Sequence, residues 1–110
     1  MVRAENPTYI ATQDILWLRI DGNKVLIQAS LGIPYRTSDS WACPAALIGV
    51  DGRYPDFVGV SSFQSLTLAI RLIRQRLGHL LEAGEVLVFP NHEDDIVDSK
   101  VLDAVLGTID

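Results

Sequence analysis

Ser61-Ser62-Phe63-Gln64-Ser65-Leu66-Thr67-Leu68-Ala69-Ile70-Arg71-Leu72-Ile73-Arg74-Gln75-Arg76-Leu77-Gly78-His79-Leu80-Leu81-Glu82-Ala83-Gly84 is the stretch on which the fold turns. At about 100° per residue, Leu66, Ala69, Ile70, Ile73, Leu77, Leu80 and Leu81 fall on one arc of a helix. Thr67, Arg71, Arg74, Gly78 and Glu82 fall opposite. Ser61 with Gln64 three residues on forms a capping box, in which side chains satisfy two orphan backbone donors. Gly84 supplies a left-handed stop. Leu68 and Leu72 widen the apolar surface to one side, so the helix is expected to touch two things.

The segments around this helix predict strands. Residues 9–20 are rich in β-branched and aromatic types, with a break expected near Gln13-Asp14. Asp21-Gly22 predicts a hairpin turn, because glycine accepts positive φ, and Val25–Ser30 is the return strand. Gly32-Ile33-Pro34 ends it, and Tyr35–Ser40 is assigned to loop. Trp41–Val50 is apolar but holds Pro44, which predicts an edge or bulged first half. Asp51-Gly52 is a second turn, and Phe57–Val60 leads into the helix. Glu85–Phe89 predicts a strand ended by Pro90, with parallel pairing open to it across the helical crossover. Asn91–Asp95 is assigned to a polar loop. Asp98 or Ser99 caps a short helix from Lys100 to Leu106. The expected fold is α+β: a mostly antiparallel sheet of four to five strands on one long amphipathic helix, with a short C-terminal helix. Residues 1–110 are expected to be a single domain.

Composition narrows the function classes. The chain has 110 residues, 48% hydrophobic and 21% charged, as expected of a self-sufficient core rather than disorder. A single cysteine, Cys43, cannot close an internal disulfide, which points to the reducing cytoplasm. Met1–Pro7 carries no apolar run after its basic start, and no stretch approaches the roughly 20 apolar residues of a membrane span. Leu66–Leu81 is interrupted by three arginines.

The net charge of −5 is segregated. Residues 1–90 carry eight basic and eight acidic side chains. Residues 91–110 carry six acids against Lys100 alone, so the whole imbalance lies in this acidic C-terminal segment. An acidic surface repels phosphate backbones, so nucleic acid is not the expected partner, and a basic protein is.

No motif reaches the specificity of a catalytic or metal signature. His92-Glu93-Asp94-Asp95 with Asp98 offers oxygens but not the spacing of a calcium loop, and no metal or cofactor is expected. Cys43 lies in an apolar strand with no neighbouring base in sequence, as a buried core residue does. Ser61-Ser62 lacks a Gly-rich phosphate loop and is assigned to capping. Arg71, Arg74 and Arg76 are expected to pair with the acidic segment or to be solvated. Trp41 and Tyr54 are candidate interface aromatics.

Ile33-Pro34, Trp41-x-Cys43, Ile48-Gly49 and Gly59-x-Ser61-Ser62-Phe63-Gln64-Ser65-Leu66-x-Leu68-Ala69 together resemble a small, uncharacterised bacterial family. Its helix opens Gly-x-Asp-Ser-hydrophobic-Gln-Ala-Leu. Ser61 and Ser65 depart from it, standing where the family has Asp and Ala. The resemblance covers roughly residues 20–83 and implies the fold and a bacterial origin; it brings no activity. The expected function is a non-enzymatic protein-binding module, most specifically an immunity protein that neutralises a basic toxin. Glu93, Asp94, Asp95, Asp98, Trp41 and Tyr54 are the candidate contact residues. Two alternatives are a small-molecule or enzymatic pocket between sheet and helix using Cys43, His79 or the acidic loop, and a homodimer meeting through Leu68 and Leu72.

Overall fold

The computed structural model describes residues 3–108 and places nine strands and two helices. In chain order these are β1 (Tyr9–Leu18), β2 (Lys24–Gly32), β3 (Tyr35–Arg36), β4 (Trp41–Cys43), β5 (Ala45–Ile48), β6 (Gly52–Arg53) and β7 (Phe57–Gly59). Helix α1 (Ser62–Glu82), β8 (Val86–Phe89), β9 (His92–Ile96) and α2 (Ser99–Leu106) complete the chain. The class is α+β, but the strands form two antiparallel sheets rather than one. Six lie in the order β6-β5-β2-β1-β8-β9 and three in the order β3-β4-β7.

Two prolines explain the division. β2–β3 and β4–β5 are one long paired ribbon that bends as it passes between the sheets. Leu31 pairs with Ala45 on one side of the bend and Tyr35 with Ala42 on the other. Pro34 and Pro44 sit at the corner, where their missing N–H groups are not needed. The Gly32 N–H donates to the Pro44 carbonyl at 2.8 Å. Pro44 thus separates two strands instead of weakening one, and β4 becomes the centre of the small sheet, not an edge.

α1 lies against both sheets, touching β4 and β7 of one and β2, β5 and β8 of the other. Ser61 caps it as expected, its Oγ accepting from the Gln64 N–H at 3.0 Å. The reciprocal bond is shifted by one residue: Gln64 Oε1 accepts from the Val60 N–H at 2.6 Å, not from Ser61. At the far end the Glu85 N–H reaches the Leu80 carbonyl and the Gly84 N–H that of Leu81, with Gly84 at φ 85°. Ala69, Ile73 and Leu77 pack on Ile15, Ile27, Leu47 and Leu87 of the large sheet, with Leu102 of α2 closing the core.

Two residues break the helical pattern. Ser65 is fully buried, because β7 passes close by: a Cβ on Gly59 would lie 2.8 Å from the Ser65 nitrogen. Arg74, placed by periodicity on the solvent side, is only 5% exposed. α2 covers it, and its guanidinium donates to Asp103 at 2.8 and 3.0 Å and to the Ser99 hydroxyl at 3.0 Å. Leu68 and Leu72 are half-buried.

Further differences have local causes. β1 runs unbroken through Gln13-Asp14 because β2 pairs with it there, and Ile20 belongs to the hairpin loop beyond it. β8 pairs antiparallel with β1, not parallel. Asn91–Asp95 is not a loop: Asn91 turns at φ 68°, and β9 returns along β8. Tyr35–Ser40 contributes the two residues of β3.

The bend leaves no room for a side chain on Gly32. A Cβ there would lie 2.7 Å from Pro44 Cβ and 2.9 Å from its Cγ, and the ring cannot swing away. Gly32→Ala is expected to lose about 1–3 kcal/mol of stability, read as a lower urea midpoint at unchanged slope.

Candidate protein-binding surface

The large sheet has two unlike faces. The inner one carries the core; the outer one is exposed at Leu26, Ile48 and Ile96 but closed at Val88 and Ala46, which are 1% and 2% exposed. Antiparallel register fixes which residues share it. Leu26 lies opposite Leu16, Leu16 opposite Val88, and Val88 opposite Ile96, an aliphatic row crossing four strands. Ile48 and Val86 flank it from β5 and β8. Leu26 is 46% exposed, Ile48 46% and Ile96 62%, so the row meets solvent at both ends. Apolar side chains grouped in this way mark interaction surfaces more often than singly scattered ones do.

The acidic residues border this row. β8 and β9 pair as Phe89 with His92 and Val88 with Ile96, which leaves Glu93, Asp94 and Asp95 as a bulge outside the ladder. All three are exposed. Glu93 pairs with Lys24 of β2 at 2.9 Å, an ion pair that reaches across the outer face from one strand to another. Asp94 and Asp95 have no ion-pair partner among the described residues. A charged, bulged edge also discourages unwanted strand pairing.

The other predicted contacts lie elsewhere. Asp98 follows β9 and caps α2, its Oδ1 accepting from the Val101 N–H at 3.0 Å. Trp41 is half-buried in the small sheet, with the Arg36 guanidinium 5.8 Å from its ring centre. The Tyr54 hydroxyl donates to Asp51 at 2.5 Å, and its ring meets Phe57 edge to face at 6.0 Å. Burial, then the Asp51 contact, raises the Tyr54 hydroxyl well above its usual range. Arg76 grips the same Asp51 at 2.8 and 3.1 Å and holds that carboxyl below its usual range. Arg76 thus pairs with the β5–β6 turn, while Arg74 takes the acidic segment. The structure therefore brings Glu93, Asp94, Asp95 and Asp98 to one end of the large sheet and separates Trp41 and Tyr54 from them. Leu26 and Ile48, which help complete the surface, look in the sequence like ordinary strand residues, and Ile96 falls in no expected element.

Two polar sites are closed inside the fold. The Asp56 carboxylate is buried, receiving the Ala4 N–H at 2.7 Å, the Tyr35 hydroxyl at 2.6 Å and Arg53 at 3.2 Å. It ties the N-terminal segment to the small sheet. Burial and the neighbouring Asp56 push the Tyr35 hydroxyl up to about 12. Cys43 is fully buried, and its thiol faces the Gly32 and Pro44 carbonyls at 3.6 and 3.5 Å. Burial, with Asp56 adding, pushes it up to about 11. The pocket between sheet and helix, lined in part by Gln13, Ala29, Ile70 and Leu106, contains no ionisable side chain. Among the described residues no three His, Cys, Asp or Glu side chains are grouped to hold a metal ion, and no helix is long and apolar enough to cross a membrane.

No family model, no curated protein and no solved structure matches this chain.

The raised groups set a pH dependence. Cys43 and Tyr35 are neutral in the fold and ionise more readily when unfolded, from 9.0 and 10.0, than when folded, near 11 and 12. Their contribution is complete below pH 9 and lost as pH rises through that window. The melting temperature is expected to fall between pH 9 and 11, with a shallower fall in Tyr35→Phe. At pH 7.5 Cys43 is expected to resist a thiol reagent until denaturant is added.

Proposed function

We propose that this chain is a non-enzymatic protein-binding module that engages a basic partner through the outer face and acidic edge of its large sheet. The observation that supports this most directly is the exposure of Leu26, Ile48 and Ile96 on the outer face beside the Glu93–Asp95 bulge. Aliphatic side chains supply area to bury, and a fringe of one charge sign speeds encounter with a partner of the other sign. The specific form of the proposal is a cytoplasmic bacterial immunity protein. Its acidic bulge stands in for the anionic substrate of a basic toxin and its aliphatic row seals the contact.

The test is co-expression with the products of flanking genes, followed by titration of any complex at low and high salt. A cognate pair is expected to bind tightly, to weaken as salt rises and to protect cells from the toxic product. Asp94→Lys with Asp95→Lys leaves the Lys24–Glu93 pair in place and is expected to slow association about tenfold. Leu26→Asp is expected to speed dissociation. If no flanking product binds, or if both variants bind like the parent, the proposal is wrong.

A further inference from the structure

On the inner face of the large sheet, one row of side chains leaves open the space that the next row fills. Alternation along the strands places Ala11, Gln13 and Ile15 of β1 on this face with Ile27, Ala29 and Leu31 of β2. Ile15 lies opposite Ile27, and both are fully buried. One row on, Gln13 lies opposite Ala29, and beyond it Ala11 lies opposite Leu31. The two alanines lack the carbons with which isoleucine closes the row before. A cavity of about 250 Å³ results between the sheet and the helices. Buried Ala29 and Ile73 form its floor, Ile70 of α1 one wall, and Val105 and Leu106 of α2 the other. Ala11, Thr12 and Val105, all exposed, mark its mouth. No strand closes that side, because β8 meets β1 only at Leu16, Trp17 and Leu18 and leaves an open edge along Ile10–Asp14.

The lining decides what fits. It is apolar except for Thr12 and Gln13 and holds no ionisable side chain. A carboxylate or an ammonium entering it would lose water and meet no opposite charge, so charged groups are excluded. The Gln13 amide donates to the Asp14 carbonyl at 3.0 Å, and among the described residues its Oε1 accepts from none. A purely aliphatic occupant, such as a partner's leucine, would shut that oxygen off from water without a donor, at a cost. A neutral occupant with one hydroxyl supplies the donor. An apolar cavity of about 150 Å³ already admits benzene, so this one takes roughly ten non-hydrogen atoms. Arg74 holds α2 through Asp103 and Ser99, so the second wall is fixed in place before anything binds. Apolar walls with one or two placed polar groups are the usual form of a small-molecule site.

We infer that this cavity binds a small neutral molecule with an apolar body and one hydroxyl group. The hydroxyl donates to Gln13 Oε1, and the body lies between Ala29, Ile70, Ile73 and Leu106. The site is on the inner face of the sheet, whereas Leu26, Ile48 and Ile96 are on the outer one. It is therefore a binding function additional to the protein-binding reading and does not depend on it.

The probe is hydrocinnamyl alcohol, compared with propylbenzene, hydrocinnamate and the phenylpropylammonium ion, which share its body. Binding is followed by backbone amide chemical shifts on the full chain. The alcohol is expected to bind saturably, to shift the amides of Ala29, Ile73 and Leu106, and to bind at least about tenfold tighter than either ion. Gln13→Leu removes the acceptor at similar volume. It is expected to weaken the alcohol about tenfold and to leave propylbenzene no weaker. Ala29→Leu fills the cavity and is expected to abolish binding. Ala11→Leu, at the exposed mouth, is expected to weaken it about tenfold and serves where Ala29→Leu does not fold, as melting temperatures will show. No saturable shift at these three amides, or indifference to Ala11→Leu in the folded variant, overturns the site. An ion that binds as tightly as the alcohol, or a Gln13→Leu variant that treats alcohol and propylbenzene alike, overturns the ligand class. A dimer in light scattering that Ala11→Leu dissociates overturns the small molecule in favour of a second copy. A flanking-gene complex that moves these amides overturns it in favour of a partner's side chain. Alcohol binding as expected with no such complex supports the site and counts against the immunity reading alone.

Discussion

The close approach of Gly32 to Pro44 is the constraint on which the architecture depends. Two paired strands cross it together; on one side of the corner they build the large sheet and on the other the small one. The ribbon bends there without losing its pairing, because the Pro44 carbonyl still accepts from Gly32. The angle it makes gives α1 two surfaces to bury against, which accounts for a helix apolar over more than a narrow stripe. Cys43 lies at the same corner, its small side chain directed at the carbonyls of both residues. A larger residue would have to displace the ribbon that the corner holds together.

The sequence announced what local chemistry decides. Ser61, Gln64 and Gly84 mark the ends of α1, and Asp21-Gly22 marks the first hairpin, because caps and turns act over a few residues. It was silent where distant segments decide. Arg74 has the period of a solvent-facing residue, and only the arrival of α2 with Asp103 and Ser99 turns it into a buried strut. His92–Ile96 has little strand propensity; it is strand because the turn at Asn91 lays it along β8. Pro44 correctly signalled an interruption, but which sheet each half joins depends on partners elsewhere in the chain. The candidate surface divides the same way. The acids at residues 93–95 are visible in the sequence as charge, whereas the aliphatic row beside them exists only through register, and the open edge of β1 only because β8 is short.

α2 shows how a small element is held without much apolar area. Leu102 is its one fully buried side chain. Val101 and Leu106 pack beside it, and polar contacts add to them: Asp98 closes the first turn, and Arg74 reaches up from α1 to Ser99 and Asp103. Burying a guanidinium costs desolvation, which its several bonds to Asp103 and Ser99 offset. Gly78 lies one turn along α1 from Arg74, and a Cβ there would come within 2.9 Å of the Arg74 Nη1. Glycine in mid-helix is a liability of about 1 kcal/mol, accepted here to let the guanidinium lie flat.

The place of β1 in the large sheet has a consequence for synthesis. Its first neighbour, β2, comes after a short loop, but its second, β8, comes only after the whole of α1. While a ribosome is still making the helix, the nascent chain already contains seven of the nine strands yet cannot close the inner face that Leu87 and α1 complete. Such contacts, distant along the chain, form late and slow the approach to the native state. Until Phe89 has left the exit tunnel, the inner face of the large sheet stays open, and that is the interval in which a chaperone would find it.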